Sequence, residues 1–406
     1  MSLTSHLRDP QSPIGQFIRQ HGSQTARIAR VTNPQLRSAE TINPGFEPWV
    51  YSHLGTALDY RIRYFFAVTP SQQLIAYTGA SLLPVQISDS GYPMEGPYSL
   101  DLIEAFFTRL DAFLETIQPV GRQLEAEVER MLARYCFVLG LFEEVYRSGR
   151  YMDGLLMVPA PKESVDELLA IADDSWIDDL CALSRVFYER YHHLLSLPFT
   201  LNPTFTGSLD VGGADADLIV DGCLIEIKSS IRARIDAAWL HQLLGYLLLD
   251  YEDQQHLRSV AIYMARHGLL LTWPLGDFLR SLTGNNQISL SQLRQEFQAL
   301  CQQQSRRKRK EPKRIATYAR WLEENQCFDL STVPIPCYRC GEGTIISCSL
   351  CGVYVCNDCS EPDENDDSIC FDCVAQKCKQ GVHYHNTPWK YADTENSRIT
   401  PSLLRI

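Results

Sequence analysis

One stretch constrains this chain more than any other: Ala214-Asp-Ala-Asp-Leu-Ile-Val-Asp-Gly-Cys-Leu-Ile-Glu-Ile-Lys228. Asp221-Gly222 separates two apolar runs, a strong signal for a two-residue β-hairpin with a type I′ turn. Such a turn fixes the register. Val220 faces Cys223, Ile219 faces Leu224, Asp217 faces Glu226 and Asp215 faces Lys228. Side chains alternate across a strand, so Asp215, Asp217, Glu226 and Lys228 project from one face. Directly opposed residues have Cβ atoms about 4.5–5.5 Å apart. The other face, Ala216, Leu218, Val220, Cys223, Ile225 and Ile227, reads as a buried core face. Facing acids with a third beside them repel one another unless a cation lies between, and a divalent metal removes that cost. Carboxylates, a metal and a lysine together make a phosphodiester-hydrolysing site. The metal lowers the pKa of bound water and polarises the phosphate, while the lysine positions the nucleophile or offsets developing charge. Asp215 competes with Asp217 for the metal, and Asp210 is a further candidate. A second acid-any-lysine triplet, Glu311-Pro-Lys313, has no partner acid across a turn.

Downstream, Trp239-Leu-His-Gln242-Leu-Leu-Gly-Tyr246 places Gln242 and Tyr246 four residues apart, on one face of a helix that is otherwise apolar. The series of acid, hairpin, Glu-x-Lys and Gln-x-x-x-Tyr resembles the PD-(D/E)xK nuclease superfamily, and its last motif resembles the RecB-like branch. The resemblance covers about residues 200–264. It implies an α/β, restriction-endonuclease-like core. It implies that Asp217, Glu226 and the Ile227 carbonyl bind Mg²⁺ or Mn²⁺. It further implies that Lys228 is the catalytic lysine and that Gln242 and Tyr246 support the site. The sequence departs from the family pattern in having no proline before the first acid. An upstream helix often contributes a polar or acidic residue, and the helical pattern of 53–66 offers Asp59. A solvated Asp59 is the plainer reading, because a long helical segment intervenes.

The second constellation is four CxxC pairs: Cys337/Cys340, Cys348/Cys351, Cys356/Cys359 and Cys370/Cys373. Nine of the 14 cysteines lie between Cys337 and Cys378. In a reducing compartment such a cluster reads as metal ligands rather than disulfides. Eight thiolates fill two tetrahedral zinc sites. The segment 337–373 resembles a FYVE-type finger. That resemblance implies cross-brace ligation, with Cys337, Cys340, Cys356 and Cys359 on one Zn²⁺ and Cys348, Cys351, Cys370 and Cys373 on the other. Sequential pairing is the alternative. The lipid function does not carry over, because the basic His-containing motif is replaced by Thr344-Ile-Ile-Ser347. Residues 337–390 also hold four Lys/Arg against eight Asp/Glu, a net of −4. Such a module suits a role as a protein-interaction or folding element better than polyanion binding. A ubiquitin-ligase-like cross-brace is a weaker reading, because the gap between the second and third pairs is long and histidine is absent. Cys378, His383 and His385 either add a partial metal site or are a free thiol and surface histidines.

The formal net charge of −12 argues against non-specific coating of nucleic acid. It leaves room for a nuclease with a local basic groove. Arg306, Arg307, Lys308, Arg309 and Lys310, with Lys313 and Arg314, form the one basic run, and both phosphate contact and a solvated lead-in to a helix at 315–324 suit it. No stretch approaches the ~18 apolar residues of a membrane span, and the polar N-terminus lacks a signal-peptide core. These readings predict an intracellular, cytoplasmic protein (nuclear in a eukaryote) with no membrane partner.

Five segments follow. Residues 1–100 form an N-terminal segment, with 1–48 as partly ordered coil, a core helix at 53–66 and a loop at 78–99. Residues 101–195 are a helical insertion, 196–300 the nuclease-like core, 301–335 a basic linker and helix, and 336–406 the double-zinc module. The expected function is metal-dependent hydrolysis of phosphodiesters. DNA is preferred by family analogy, in repair, recombination or defence against foreign DNA. The rival is a non-catalytic scaffold that binds nucleic acid or protein, with the zinc module recruiting a partner.

Overall fold

A computed structural model describes residues 2–87, 93–148, 154–157, 160–285, 287 and 289–308. In the C-terminal part it describes residues 335–337, 339, 343–344, 348–349, 355, 359–362, 368–371 and 373–374. In chain order the helices are α1 (Leu3–Arg8), α2 (Pro13–His21), α3 (Thr25–Ser38), α4 (Pro48–Phe66), α5 (Ile75–Ala80) and α6 (Leu100–Ile117). Then follow α7 (Ala126–Ser148), α8 (Val165–Leu169), α9 (Asp174–Tyr191), α10 (Ala237–Leu249), α11 (Leu275–Thr283) and α12 (Leu290–Lys308). The strands are β1 (Val85–Ile87), β2 (Pro93–Glu95), β3 (Phe199–Leu201), β4 (Leu218–Val220), β5 (Cys223–Lys228), β6 (Ser259–Met264), β7 (Leu269–Pro274), and short C-terminal pieces β8 (Ile335–Pro336), β9 (Gly343–Thr344), β10 (Ser360–Pro362) and β11 (Ser368–Cys370). The chain is mixed α/β and divides into two compact units.

The first unit comprises Met1–Pro70, Leu110–Gly140 and Leu169–Lys310. At its centre is a five-stranded sheet in the order β3-β4-β5-β6-β7. β5 and β6 are parallel and the other neighbours antiparallel. A parallel pair needs a crossover connection, and α10 supplies it. Leucines surround α10: Leu240, Leu243, Leu244, Leu247, Leu248 and Leu249 are all buried. Such a helix is stable only between other layers. It packs with Ile219, Leu224, Val260 and Ile262 of the sheet and with apolar residues of α1, α2, α11 and α12. On the opposite sheet face, Tyr263 of β6 meets Phe187 and Tyr191 of α9, and Phe65 of α4 stacks on Phe187. The hairpin is therefore buried on both faces, not on one.

Of residues 1–48, expected as partly ordered coil, the stretch from Leu3 to Ser38 carries α1, α2 and α3, while 40–47 form no helix or strand. The cause is local capping plus a narrow apolar stripe. The Ser12 hydroxyl accepts from the Gly15 N–H at 3.2 Å, with Pro13 opening the helix, the arrangement a helix start favours. Ile14 and Ile18, then Ile28, Thr32 and Leu36, fall one per turn and are buried. One stripe suffices when it packs against α10, where Gly245 lies close to Leu3 and Ile18. Similarly, 78–99 is not all loop: α5 extends to Ala80, and β1 pairs with β2. The expected basic linker is helical over its first residues, because α12 carries the backbone through Lys308. The expected helix at 315–324 lies outside the described residues.

The second unit comprises Ser71–Arg109, Leu141–Leu168 and the chain from Glu311 onward. Phe106, Phe107 and Phe142 pack edge-on and tilted around one another, joined by Tyr77. A Cβ at Gly79 would lie 1.9 Å from the Phe142 carbonyl oxygen, so only glycine allows that approach. In the C-terminal part, Cys337, Cys348, Cys359, Cys370, Val355, Ile369, Phe371 and Val374 form one small buried cluster.

Candidate active site

Asp221 and Gly222 take φ of 47° and 72°, the positive values that a type I′ turn needs. β4 and β5 then pair Val220 with Cys223, Ile219 with Leu224 and Leu218 with Ile225. One step beyond the ladder, the Asp217 side chain takes over: its Oδ2 accepts the Ile227 N–H at 2.6 Å. That bond fixes the carboxylate beside Glu226 at the carboxyl end of β5.

Glu226 is 3% exposed. Its Oε1 accepts from Lys228 Nζ at 2.7 Å, and its Oε2 is buried without a hydrogen-bond partner. Lys228 Nζ also donates to Gln242 Oε1 at 3.1 Å. Gln242 Nε2 donates to Tyr246 Oη at 2.7 Å, and Tyr246 donates to the Asp215 carbonyl at 2.8 Å. Each group has one direction in this relay. A lysine can only donate, so the amide presents its oxygen to Lys228 and its NH₂ to Tyr246. Asp236 caps α10 through the Ala238 N–H at 2.9 Å, which fixes the start of the helix bearing Gln242 and Tyr246.

Burial pushes Glu226 up to about 7; the neighbouring Asp217 adds to the rise and Lys228 opposes it. Asp217 is also raised, first by burial, against the pull of Lys228 and of the Ile227 N–H. Burial and the two carboxylates hold Tyr246 well above the usual phenol range, so it remains a neutral donor. Asp215 contributes through its backbone to Tyr246 and through its charge to Asp217 and Glu226. Asp210 lies elsewhere: it accepts from Tyr251 Oη at 3.1 Å, beyond the end of α10.

α4 closes the site from the amino-terminal side. A Cβ at Gly55 would lie 2.6 Å from Ser229 Oγ, and Ser229 Oγ donates to the Tyr51 carbonyl at 3.0 Å. Asp59 is 7% exposed rather than solvated. It pairs with Arg63 one turn on, Nε to Oδ1 at 3.0 Å, and the Arg63 charge reaches Asp217. The intervening helical segment does not keep α4 away, because the chain returns to the same unit. Sequence reasoning missed Arg63; the signal was the Asp-x-x-x-Arg spacing on an already expected helix.

Arg266 was missed as well. It is 0% exposed and forms a two-bond pair with Asp179 at 2.9 and 2.7 Å. Its Nε donates to the Ser229 carbonyl at 3.0 Å, and its guanidinium lies over the Tyr51 ring at 4.4 Å. The residue after Lys228 is thus tied to α4, α9 and the β6–β7 turn.

In the C-terminal part, the ligand atoms of Cys348, Cys370 and Cys373 lie within 4.8 Å of one another. Cys337 and Cys359 are buried in the same small core. Cys340, Cys351, Cys356, Cys378, His383 and His385 lie outside the described residues. So do Arg309 and Lys310, while Arg306, Arg307 and Lys308 are described only as helical backbone. Comparison with protein-family models, curated proteins and solved structures yields no match. No helix among the described residues is long and apolar enough to cross a membrane.

Proposed function

We propose that the chain is a divalent-metal-dependent nuclease built on a restriction-endonuclease-like core of the PD-(D/E)xK kind. The observation that carries this is the convergence of Asp217, Glu226 and Lys228, with Glu226 Oε2 buried and unpartnered. A buried carboxylate oxygen without a partner is costly, and a cation relieves the cost. Asp215, Asp217 and Glu226 outnumber Lys228, and all their donor atoms are oxygens, the chemistry that suits Mg²⁺ or Mn²⁺. Asp217, Glu226 and the Ile227 carbonyl would hold the ion, which when bound would supply an acidified water and a polarised phosphate. Lys228 places a positive charge where phosphate charge develops. Gln242 holds the lysine, Tyr246 holds Gln242, and the Asp215 carbonyl holds Tyr246. DNA stands ahead of RNA by family analogy, with repair, recombination or defence against foreign DNA as roles.

The protein incubated with plasmid and single-stranded DNA should cleave in Mg²⁺ or Mn²⁺ and not in EDTA. The scaffold reading draws on the Lys228–Glu226 ion pair, which already neutralises one acid without catalysis; inertness on both DNA and RNA would favour it.

Metal binding should depend on pH. Glu226 holds its proton up to about 7, above the unfolded carboxylate value of about 4.3. Between these values the folded state binds more protons than the unfolded one. Stability of the cation-free protein therefore falls as pH rises through that window. A divalent cation competes with the proton, so the Mn²⁺-induced rise in Tm should grow from about pH 6 to about pH 8. A shift that shrinks with pH would contradict the assignment of Glu226 as ligand.

We also propose two structural Zn²⁺ ions in the C-terminal part. The approach of Cys348 to Cys370 and Cys373 supports cross-brace ligation over sequential pairing, with Cys351 completing that site and Cys337, Cys340, Cys356 and Cys359 the other. Elemental analysis should find about two zinc atoms per chain. A Cys348→Ser, Cys370→Ser variant should retain about one. The finger, with its net acidity, would recruit a protein partner.

A further inference from the structure

We infer that Trp49 is a base-stacking platform for single-stranded nucleic acid beside the site, an inference that deepens the nuclease reading and rests on it. Trp49 lies in the first turn of α4 and is 48% exposed. Its ring is held edge-on by Trp176 at 5.5 Å and His53 at 5.8 Å, and Trp176 in turn rests on Phe137 at 5.8 Å. An isolated exposed tryptophan is common and means little. This one is braced from beneath, which fixes the ring.

Its position supplies the second argument. Two residues on, the Tyr51 carbonyl receives the Ser229 hydroxyl, and Ser229 follows Lys228. A few residues beyond Ser229 in the chain, Ile231, Arg232 and Arg234 are exposed. Among the described residues neither arginine forms an ion pair. The Tyr51–Ser229 hydrogen bond thus lies two residues from the braced indole along α4 and three and five residues from the two available cations along the chain after β5. Aromatic faces for bases and cations for backbone phosphates are the combination that binds single strands without reading sequence. A duplex hides its base faces, so this surface selects against it. The chain's −12 charge makes the stacking contribution more necessary, because Coulombic attraction over the whole molecule is absent.

The test measures anisotropy of fluorescein-labelled dT₂₀, U₂₀ and a DNA duplex with full-length protein in EDTA. Trp49→Ala should weaken single-strand binding about fivefold or more. Trp49→Phe should keep most of it, and duplex binding should not change. The log affinity for dT₂₀ should fall with log salt at a slope of about −1.4, as for two phosphate contacts, and flatten in Arg232→Gln, Arg234→Gln. The dT₂₀ and U₂₀ arms distinguish DNA from RNA as the stacking strand. Equal binding by wild type and Trp49→Ala, or equal loss on single strand and duplex, overturns the inference. If the wild type cleaves and Trp49→Ala cleaves single strands equally well, the platform fails and the nuclease stands. If single strands bind through Trp49 and nothing is cleaved, the nuclease fails and the platform stands.

Discussion

Lys228→Ala should lower metal-dependent cleavage by about 10²–10³-fold, the loss typical when one preorganised charge at a reacting centre is removed. The cation-free protein should lose some stability, because Glu226, with 4% of its side chain exposed, loses its cation partner and is left to its proton or a divalent ion. Divalent-metal affinity should hold or rise, because the variant removes the positive charge nearest two raised carboxylates. That combination, lost turnover with retained Mn²⁺ binding by calorimetry, separates a catalytic lysine from a structural ion pair. An ion pair that served the fold alone would leave cleavage by the folded variant intact. Glu226→Gln should do the opposite and lose metal affinity with turnover, since Oε2 is buried without a hydrogen-bond partner.

The hairpin was legible because its determinants are local. Asp221 and Gly222 alone dictate positive φ at both turn positions, and the three pairs nearest the turn follow; beyond Leu218–Ile225 the ladder ends, and Asp215 bridges Thr204 rather than Lys228. Gln242 and Tyr246 were legible for the same reason, being one helical turn apart. What escaped the sequence depends on distant partners. α4 meets β5 because Gly55 leaves room for Ser229, and the hydrogen bond that seals them joins residues 178 positions apart. Asp59 looked like a solvated surface acid, since nothing in its neighbourhood announces that it will be buried with Arg63. The N-terminal helices were hidden by composition: Ile14, Ile18, Ile28 and Leu36 are a sparse stripe among polar residues, enough only because α10 offers a wholly apolar surface.

Asp179→Ala should be the most destabilising single change near the site, by about 3–5 kcal/mol, because it strands a buried guanidinium. Both side chains are almost wholly removed from water, at 0% and 2% exposure. The remaining contacts of Arg266, to the Ser229 and Ile42 carbonyls and the Tyr51 ring, do not neutralise its charge. Urea unfolding of the two single variants and of Asp179→Leu, Arg266→Met measures this. The double variant should recover much of the loss, since removing both charges removes the uncompensated one. It should not recover cleavage, because the Ser229 carbonyl then lacks its donor and the carboxyl end of β5 is no longer fixed for Lys228. Full recovery of both stability and turnover would mean that the arginine serves the core alone. Recovery of stability without turnover assigns to one buried cation the alignment of α4, α9 and β5 around the acids.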